Sequence, residues 1–434
     1  LCYNFKPWTN SKAIADGELI MEYLQETVDE NNLTSHIRFN CRVVSASWST
    51  ETSTWTITIM NSETGEESNL TCNFLSMCSG YYNYKKGHTP EFEGTTQFKG
   101  TIVHPQEWPE DLNYQDKKVV IIGSGATAMT LVPALAQTGA NHVTMVQRSP
   151  TYVISAPSED KMANTMRKVL PSKLAYNITR KKNVMFQQAS YKQSRTNPEK
   201  VKEFLLKEAK KDLADEIVDE HFTPAYNPWD QRLCLIPDSD LFNAINEGKA
   251  SVVTDGINRF TENGLELAND QILEADIIVT ATGLELLQLG GVKFTVDNEE
   301  VNFADTWTYK GMMYSNVPNL IHTFGYINAS WTLRADLVSE YTCRLLNYMK
   351  KSGATQVTPR LREKDVDMPQ RTFIVDFSSN YMKRSMHLYP KQSNRAPWHN
   401  PQNYSKDIKM IRKAKINDDV LVFSKSSQES SIKK

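Results

Sequence analysis

Cysteine is scarce and poorly placed for chemistry. The six cysteines stand at positions 2, 41, 72, 78, 234 and 343. None of them forms a CxxC pair, which argues against a redox dithiol, a zinc site and a secreted disulfide scaffold together. An excess of one charge is also lacking: 49 Lys and Arg against 51 Asp and Glu leave no global field to attract nucleic acid or an anionic membrane. No apolar run approaches the roughly eighteen residues of a bilayer span, no signal peptide opens the chain, and no repeat recurs at solenoid spacing. The expectation is a soluble, cytoplasmic protein with reduced thiols. At 434 residues it should have two or three domains. An initiator methionine is missing too; the chain opens mid-pattern on LCYNFKPW, and a segment upstream of it is expected.

What is present is periodicity of two kinds. From Ala13 to Glu30, apolar residues Leu19, Ile20, Tyr23, Leu24 and Val28 recur at helical spacing and predict an amphipathic helix. The runs HIRFNCRVVSASW, TWTITIM and SNLTCNFLSMC alternate, predicting an antiparallel meander whose buried last strand stops at Ser79-Gly80-Tyr81-Tyr82. Residues 117–148, KKVVIIGSGATAMTLVPALAQTGANHVTMVQR, read as strand, glycine turn, helix capped by Gly139, and second strand, a βαβ unit. Between Lys161 and Lys211 stand fourteen Lys or Arg against three Asp or Glu in helical pattern. They predict a helical insertion with a basic face, either simply solvated or in contact with an anionic surface or cofactor phosphates. Strands resume in SVVTDGINRF and LEADIIVTATG, DLVSEYTCRLLNYMK reads as a helix, and the tail SKSSQESSIKK reads as disordered.

The sharpest local signal is Gly123, Gly125 and Ala128 in GxGxxA spacing between a strand and a helix. The first glycine permits the turn, the second lets the backbone approach a pyrophosphate, and the small third residue allows close packing of helix on strand. Free amides around Ser124, Ala126 and Thr127, at the positive end of the helix, would hold the phosphates. An NAD-preferring site ends its second strand in Asp or Glu; here the strand ends in Gln147-Arg148. Arg148 can pair with a 2′-phosphate, a charge-assisted bond of about 1.5 to 3 kcal/mol that favours NADPH; the alternative is an ordinary surface arginine. FLSMCSGYY and DIIVTATGLE also end in a small residue plus glycine, so either one or two nucleotide sites fit the pattern.

FKGTIVHPQEWP carries Phe98, Gly100, His104, Trp108 and Pro109 in FxGxxxHxxxWP spacing. It resembles the fingerprint of the type I Baeyer–Villiger monooxygenases, class B flavoprotein monooxygenases. YNPWDQRLCL, ADIIVTATGL and NASWTLRADLVSE are similar to a mycobacterial branch of the same FAD monooxygenases, and the similarity runs from Phe5 to about Asp418. The resemblance implies an α/β fold with two dinucleotide-binding, Rossmann-like domains, the NADPH domain inserted in the FAD domain and itself carrying a helical insertion. On that plan 1–115 is FAD-domain remainder, 116–280 the NADPH domain with its insertion at about 160–220, and 281–434 the return to the FAD domain. The family's first FAD-binding βαβ unit and an acidic catalytic residue are expected upstream of Leu1.

The same resemblance implies FAD and NADPH as cofactors, no metal, O2 and a small-molecule ketone or sulfur-containing substrate. It implies no nucleic acid partner, and the basic insertion adds the expectation of a weak peripheral membrane contact. Arg232, in YNPWDQRL, matches an arginine close to the flavin that stabilises negative charge in ester formation. Gln231 replaces the lysine that often precedes it, placing more weight on Arg148. His104 and Trp108 are implied to couple movement of the NADPH domain to the flavin site. Ser79, Gly80, Thr282 and Gly283 would lie against the dinucleotides and Val43 near the FAD adenine, with Asn328, Ser330 and Trp331 near the isoalloxazine or substrate. Three alternatives remain at this stage. One is a flavin-containing monooxygenase acting on amines and thioethers; another is a pyridine nucleotide-disulfide reductase, for which the cysteine pair is lacking; the third is a non-catalytic NADPH-binding fragment.

Overall fold

Runs rich in β-branched residues form strands of a parallel sheet with little exposure at its centre, and five strands between residues 101 and 280 make such a sheet. In the computed structural model, which describes residues 2–375 and 377–426, the strands Ala250–Thr254, His142–Gln147, Lys118–Ile122, Ile277–Thr280 and Thr101–Val103 lie side by side in that order, all parallel. Val119, Ile121, Val143 and Val279 face the helix Ala126–Gln137 through Met129 and Val132. Val120, Ile122, Val146 and Ile278 face the other way, onto Phe98, Phe260 and Leu265. The edge strand Thr101–Val103 belongs to the fingerprint segment, so the sheet recruits a strand from before residue 116.

The meander forms as expected: Cys41–Ser49, Thr54–Asn61 and Glu67–Cys72 pair antiparallel, and Lys293–Val296 adds to the first of them in parallel. SNLTCNFLSMC, however, is two strands rather than one. The chain breaks at Asn73, whose carbonyl accepts from Asn319 Nδ2 at 2.7 Å. Leu75–Met77 then leaves the meander and pairs in parallel with Leu320–His322, making a second, two-stranded parallel sheet. The first helix begins at Gly17 rather than Ala13, because the amides of Ala13 and Ile14 both donate to Ser158 O instead of entering a helix.

The insertion forms four helices, Lys161–Val169, Ser172–Thr196, Pro198–Ala209 and Asp215–His221. Part of its basic face is pinned: Arg180 pairs with Asp336 at 2.5 Å, Lys182 with Asp160 at 2.5 Å and Arg195 with Asp230 at 2.6 Å. Arg167 donates to Trp8 O at 2.9 Å and Lys210 pairs with Asp219 at 2.8 Å, whereas Lys173 and Lys181 are exposed among exposed Leu174, Ile178, Met185 and Phe186. The helix expected over DLVSEYTCRLLNYMK runs from Trp331 to Ser352 and buries Leu337, Tyr341 and Leu345 against Trp398, Ile411 and Val420. Among the described residues no helix is long and apolar enough to cross a membrane, and the six cysteines are free thiols. Of the tail expected to be disordered, Ser424 instead ends the strand Leu421–Ser424 and Ser426 is buried, its amide donating to Thr355 Oγ at 2.8 Å; residues 427–434 lie outside the described residues.

Candidate functional site

The glycine turn has the geometry its spacing requires. Gly123 has φ 136°, and a methyl group there would run into the carbonyl of Ala281. Gly125 precedes the helix, and nothing lies within 4 Å of where its Cβ would stand; Ala128 is fully buried. Ala126 and Thr127 are exposed in the first turn, where backbone amides have no intrahelical acceptor. The turn is therefore open on the side where a pyrophosphate would approach and closed on the side of the sheet. Ser124 Oγ donates to Ser149 O at 3.3 Å and accepts from Thr151 Oγ at 3.0 Å, tying the turn to the segment after the second strand. There Arg148 is exposed. Gln147 points the opposite way: it is buried, and its amide donates to His221 O at 2.7 Å and Thr254 Oγ at 2.9 Å. Strand alternation separates the pair, so Gln147 presents no side chain to the nucleotide side.

The fingerprint residues do two different jobs. Phe98 packs edge-on against Phe260 at 6.3 Å, Gly100 sits where a Cβ would strike Asp276 O, and Trp108 packs on the core under the nucleotide helix. These three seat the segment on the second unit. His104 instead holds the two strands of chain that connect the units. One is Tyr82–Gly87, the other Leu284–Leu286, paired antiparallel. His104 Nε2 lies 3.2 Å from Gly283 O, and its Nδ1 accepts from Gln106 N at 3.2 Å. Gln106 Nε2 then reaches Asn83 O at 3.0 Å, and Thr282 Oγ donates to His88 O at 2.6 Å. His104, Thr282 and Gly283 thus meet at one crossing.

The second cluster lies at the carboxyl ends of the two-stranded parallel sheet, where ligands bind in open α/β sheets. Ser79 Oγ is buried with no hydrogen-bond partner among the described residues, and Gly80 has φ 69°. A buried unpaired hydroxyl costs about 1 to 3 kcal/mol, which a bound polar group at this strand end would offset. Next in the chain, Tyr81 stacks on Trp331 at 5.0 Å and lies 5.3 Å from Phe324, while its hydroxyl meets that of Tyr82 at 2.9 Å. Arg232 is half-buried beside them and donates from Nη1 to Ile327 O at 2.8 Å. Burial raises the Tyr81 phenol, neighbouring Tyr381 and Tyr82 raise it further, and Arg232 opposes them; Tyr381 is pushed up to about 12, chiefly by burial. The Tyr81 and Tyr381 phenols therefore stay protonated beside the Arg232 guanidinium.

Asn328 donates to Gln402 O at 3.2 Å and lines a cavity of about 370 Å³ with Gln188, Tyr191, Gln402 and Tyr404. Ser330 Oγ pairs with Thr332 Oγ at 2.9 Å at the start of the long helix. Val43 sits at a bulge in the first meander strand, half-buried on that sheet's core. Sequence reasoning passed over Tyr81, Tyr82, Tyr381 and Gln402. The two adjacent tyrosines were visible only as a strand stop, and the other two stand some 300 residues further on with no spacing to mark them. Among the described residues no cluster of His, Cys, Asp or Glu could hold a metal ion.

Residues 2–223 match the family model described as flavin-binding monooxygenase-like. The chain is 50% identical, over 426 residues, to the FAD-containing monooxygenase EthA of Mycobacterium tuberculosis, covering 98% of this chain and 86% of that protein. It is 46% identical to the probable FAD-binding monooxygenase AlmA of Acinetobacter baylyi, covering 98% and 85%. Among solved structures, an oxidised steroid monooxygenase bound to NADP superposes with a TM-score of 0.73 at 20% identity, covering 98% of this chain and 89% of that one. An open cyclohexanone monooxygenase gives 0.64 at 17% identity, covering 81% and 76%.

Proposed function

The chain belongs to the flavin-binding monooxygenase-like family, and from that membership we propose that it is a Baeyer–Villiger enzyme. It uses NADPH and O2 to insert one oxygen atom beside the carbonyl of a ketone, giving an ester or lactone, and oxygenates sulfides or thioamides at the same site. FAD and NADP(H) are its cofactors. Bound flavin, once reduced by NADPH, supplies the activation of O2.

The residues present suit both nucleotides. The open first turn at Gly125, Ala126 and Thr127 accepts the NADPH pyrophosphate, and exposed Arg148 takes the 2′-phosphate. Ser79 Oγ, buried without a partner, and Gly80 at positive φ receive FAD. On this reading residues 116–280 hold NADPH and the flanking segments hold FAD. His104 joins the two, keeping the connecting strands in register as the units move. The exposed basic and apolar face of the insertion is the part of the molecule suited to a weak contact with an anionic bilayer.

The chemistry is carried by one observation: Arg232 lies near enough to the Tyr81 and Tyr381 phenols to act on both, with its guanidinium tied to Ile327 O. A fixed cation in a site walled by Trp331 and Phe324 stabilises negative charge developing on the substrate's carbonyl oxygen. Such a term contributes several kcal/mol where water is excluded. Oxygen transfer to sulfur develops no such charge and needs the cation less. Arg232→Ala in the flavin-loaded enzyme should therefore lower ester formation from phenylacetone by about a hundredfold or more, with sulfoxide formation from methyl phenyl sulfide falling much less. Equal losses for both substrates would overturn the role given to Arg232. A wild-type enzyme that makes sulfoxide and no ester would leave the flavin-containing monooxygenase reading instead.

A further inference from the structure

Arg232 is held by a backbone carbonyl, and that carbonyl belongs to a loop with little regular structure of its own. The segment Gly325–Asn328 links the strand Leu320–His322 to the helix beginning at Trp331. One distant side chain, that of Gln402, bonds its backbone from outside. Gln402 Oε1 accepts from Ile327 N at 3.0 Å, and Gln402 Nε2 donates to Gly325 O at 3.3 Å. The backbone carbonyl of Gln402 accepts from Asn328 Nδ2 at 3.2 Å. The two peptides that precede Ile327 are thereby held, the side chain of Asn328 is held on its other flank, and Ile327 O accepts from Arg232 Nη1 at 2.8 Å.

Only a primary amide suits this position. It must accept from one backbone N–H and donate to a carbonyl two residues earlier, as the edge of a strand would. Gln402 is itself braced. Its Nε2 also reaches Asn400 Oδ1 at 3.2 Å, and Asn400 is buried and anchored by Gln392 Oε1 at 2.9 Å. The residue holds φ 46°, a left-handed conformation that non-glycine residues seldom adopt. Below the loop, Tyr326 donates to Asp407 at 2.6 Å, and Asp407 pairs with fully buried Arg334 at 2.5 Å. The floor of the loop is therefore rigid, and Gln402 supplies its remaining constraint.

We propose that Gln402 is a positioning residue for Arg232: its side-chain amide orients the Ile327 carbonyl that aims the guanidinium at the substrate. This inference rests on the role given to Arg232 above. A guanidinium misplaced by about 1 Å loses much of its effect on a developing charge, while NADPH oxidation, which does not need the cation in that place, continues. The signature is uncoupling, with less ester formed per NADPH consumed.

The test is a double-mutant cycle in the flavin-loaded enzyme, with phenylacetone as substrate and both ester and NADPH measured. Gln402→Leu should lower kcat for ester about tenfold with KM for NADPH unchanged. In the Arg232→Ala background the same change should cost less than about twofold, because there is no longer a guanidinium to position. Gln402→Glu keeps the size and the acceptor but cannot donate to Gly325 O, and it should give a smaller uncoupling of the same kind. It also decides the matter if the leucine variant does not fold. Losses that multiply in the double variant, or a Gln402→Glu enzyme with the wild-type ratio of ester to NADPH, would overturn the proposal. If Arg232→Ala alone retains ester formation, the failure lies with the reading of Arg232.

Discussion

Gly87 and His104 form a lock whose strength can be measured. A methyl group on Gly87 would stand inside 3.0 Å of three ring atoms of His104, with Nδ1 at 2.5 Å. Backbone strain plays no part, since Gly87 is not among the residues at positive φ. Gly87→Ala must therefore push the imidazole aside. The displaced ring gives up its contact with Gly283 O and its bond from Gln106 N, worth about 1 kcal/mol each. Forcing atoms into a packed site adds about 1 to 3 kcal/mol. The substitution should thus destabilise the protein by about 3 to 5 kcal/mol. In a His104→Ala background the clash is gone and alanine reduces the freedom of the unfolded chain. There Gly87→Ala should cost under about 1 kcal/mol, or even stabilise slightly. Urea unfolding of the wild type, both single variants and the double variant, followed by tryptophan fluorescence, gives the coupling directly. A coupling of about 2 kcal/mol or more is expected. Additivity within about 0.5 kcal/mol would show that His104 does not occupy the space beside Gly87 and does not clamp the connecting strands.

The two glycines of the nucleotide turn should separate folding from binding. Gly123→Ala strikes Ala281 O at a positive φ and should lower the unfolding midpoint, whereas Gly125→Val faces open space, should leave stability within about 0.5 kcal/mol of wild type, and should raise the KM for NADPH strongly. Arg148→Ala should cut the preference for NADPH over NADH by about ten- to a hundredfold, read as the ratio of kcat/KM for the two cofactors. His322 is fully buried and held down to about 4 by desolvation. As pH falls from 6.5 the unfolded chain takes up a proton that the folded one refuses, so stability falls between about pH 6.5 and 4 by on the order of 2 to 3 kcal/mol. His322→Gln should flatten that limb of the stability curve, measured by denaturant unfolding at pH 7, 5.5 and 4.5; an unchanged limb would mean that other groups carry it.

The sequence by itself determined the parts of this protein that rest on local chemistry. A glycine turn between a β-branched strand and a helix admits few conformations, so the turn at Gly123, the open side at Gly125 and the buried place of Ala128 were legible from spacing. The meander was legible too, since alternation within one strand reports its buried face directly. The exposed Arg148 at the second strand end followed from the same unit, although its neighbour Gln147 did not, because adjacent residues on a strand face opposite sides and only packing shows which side is the interior. Tertiary structure alone decided the rest. SNLTCNFLSMC became two strands because Leu75–Met77 found a parallel partner about 245 residues later, a choice that no short window of sequence contains. His104 could be flagged from its fingerprint, yet its place beside Gly87 and Gly283 depends on two connecting strands brought together from opposite ends of an inserted domain. The tyrosines around Arg232 and the amide of Gln402 carry no pattern of their own. They come together only because folding places Tyr81, Arg232, Ile327 and Gln402 within hydrogen-bonding or stacking reach of one another or of shared neighbours, and contacts between residues so far apart in the chain are written in the packing and not in any local run of residues.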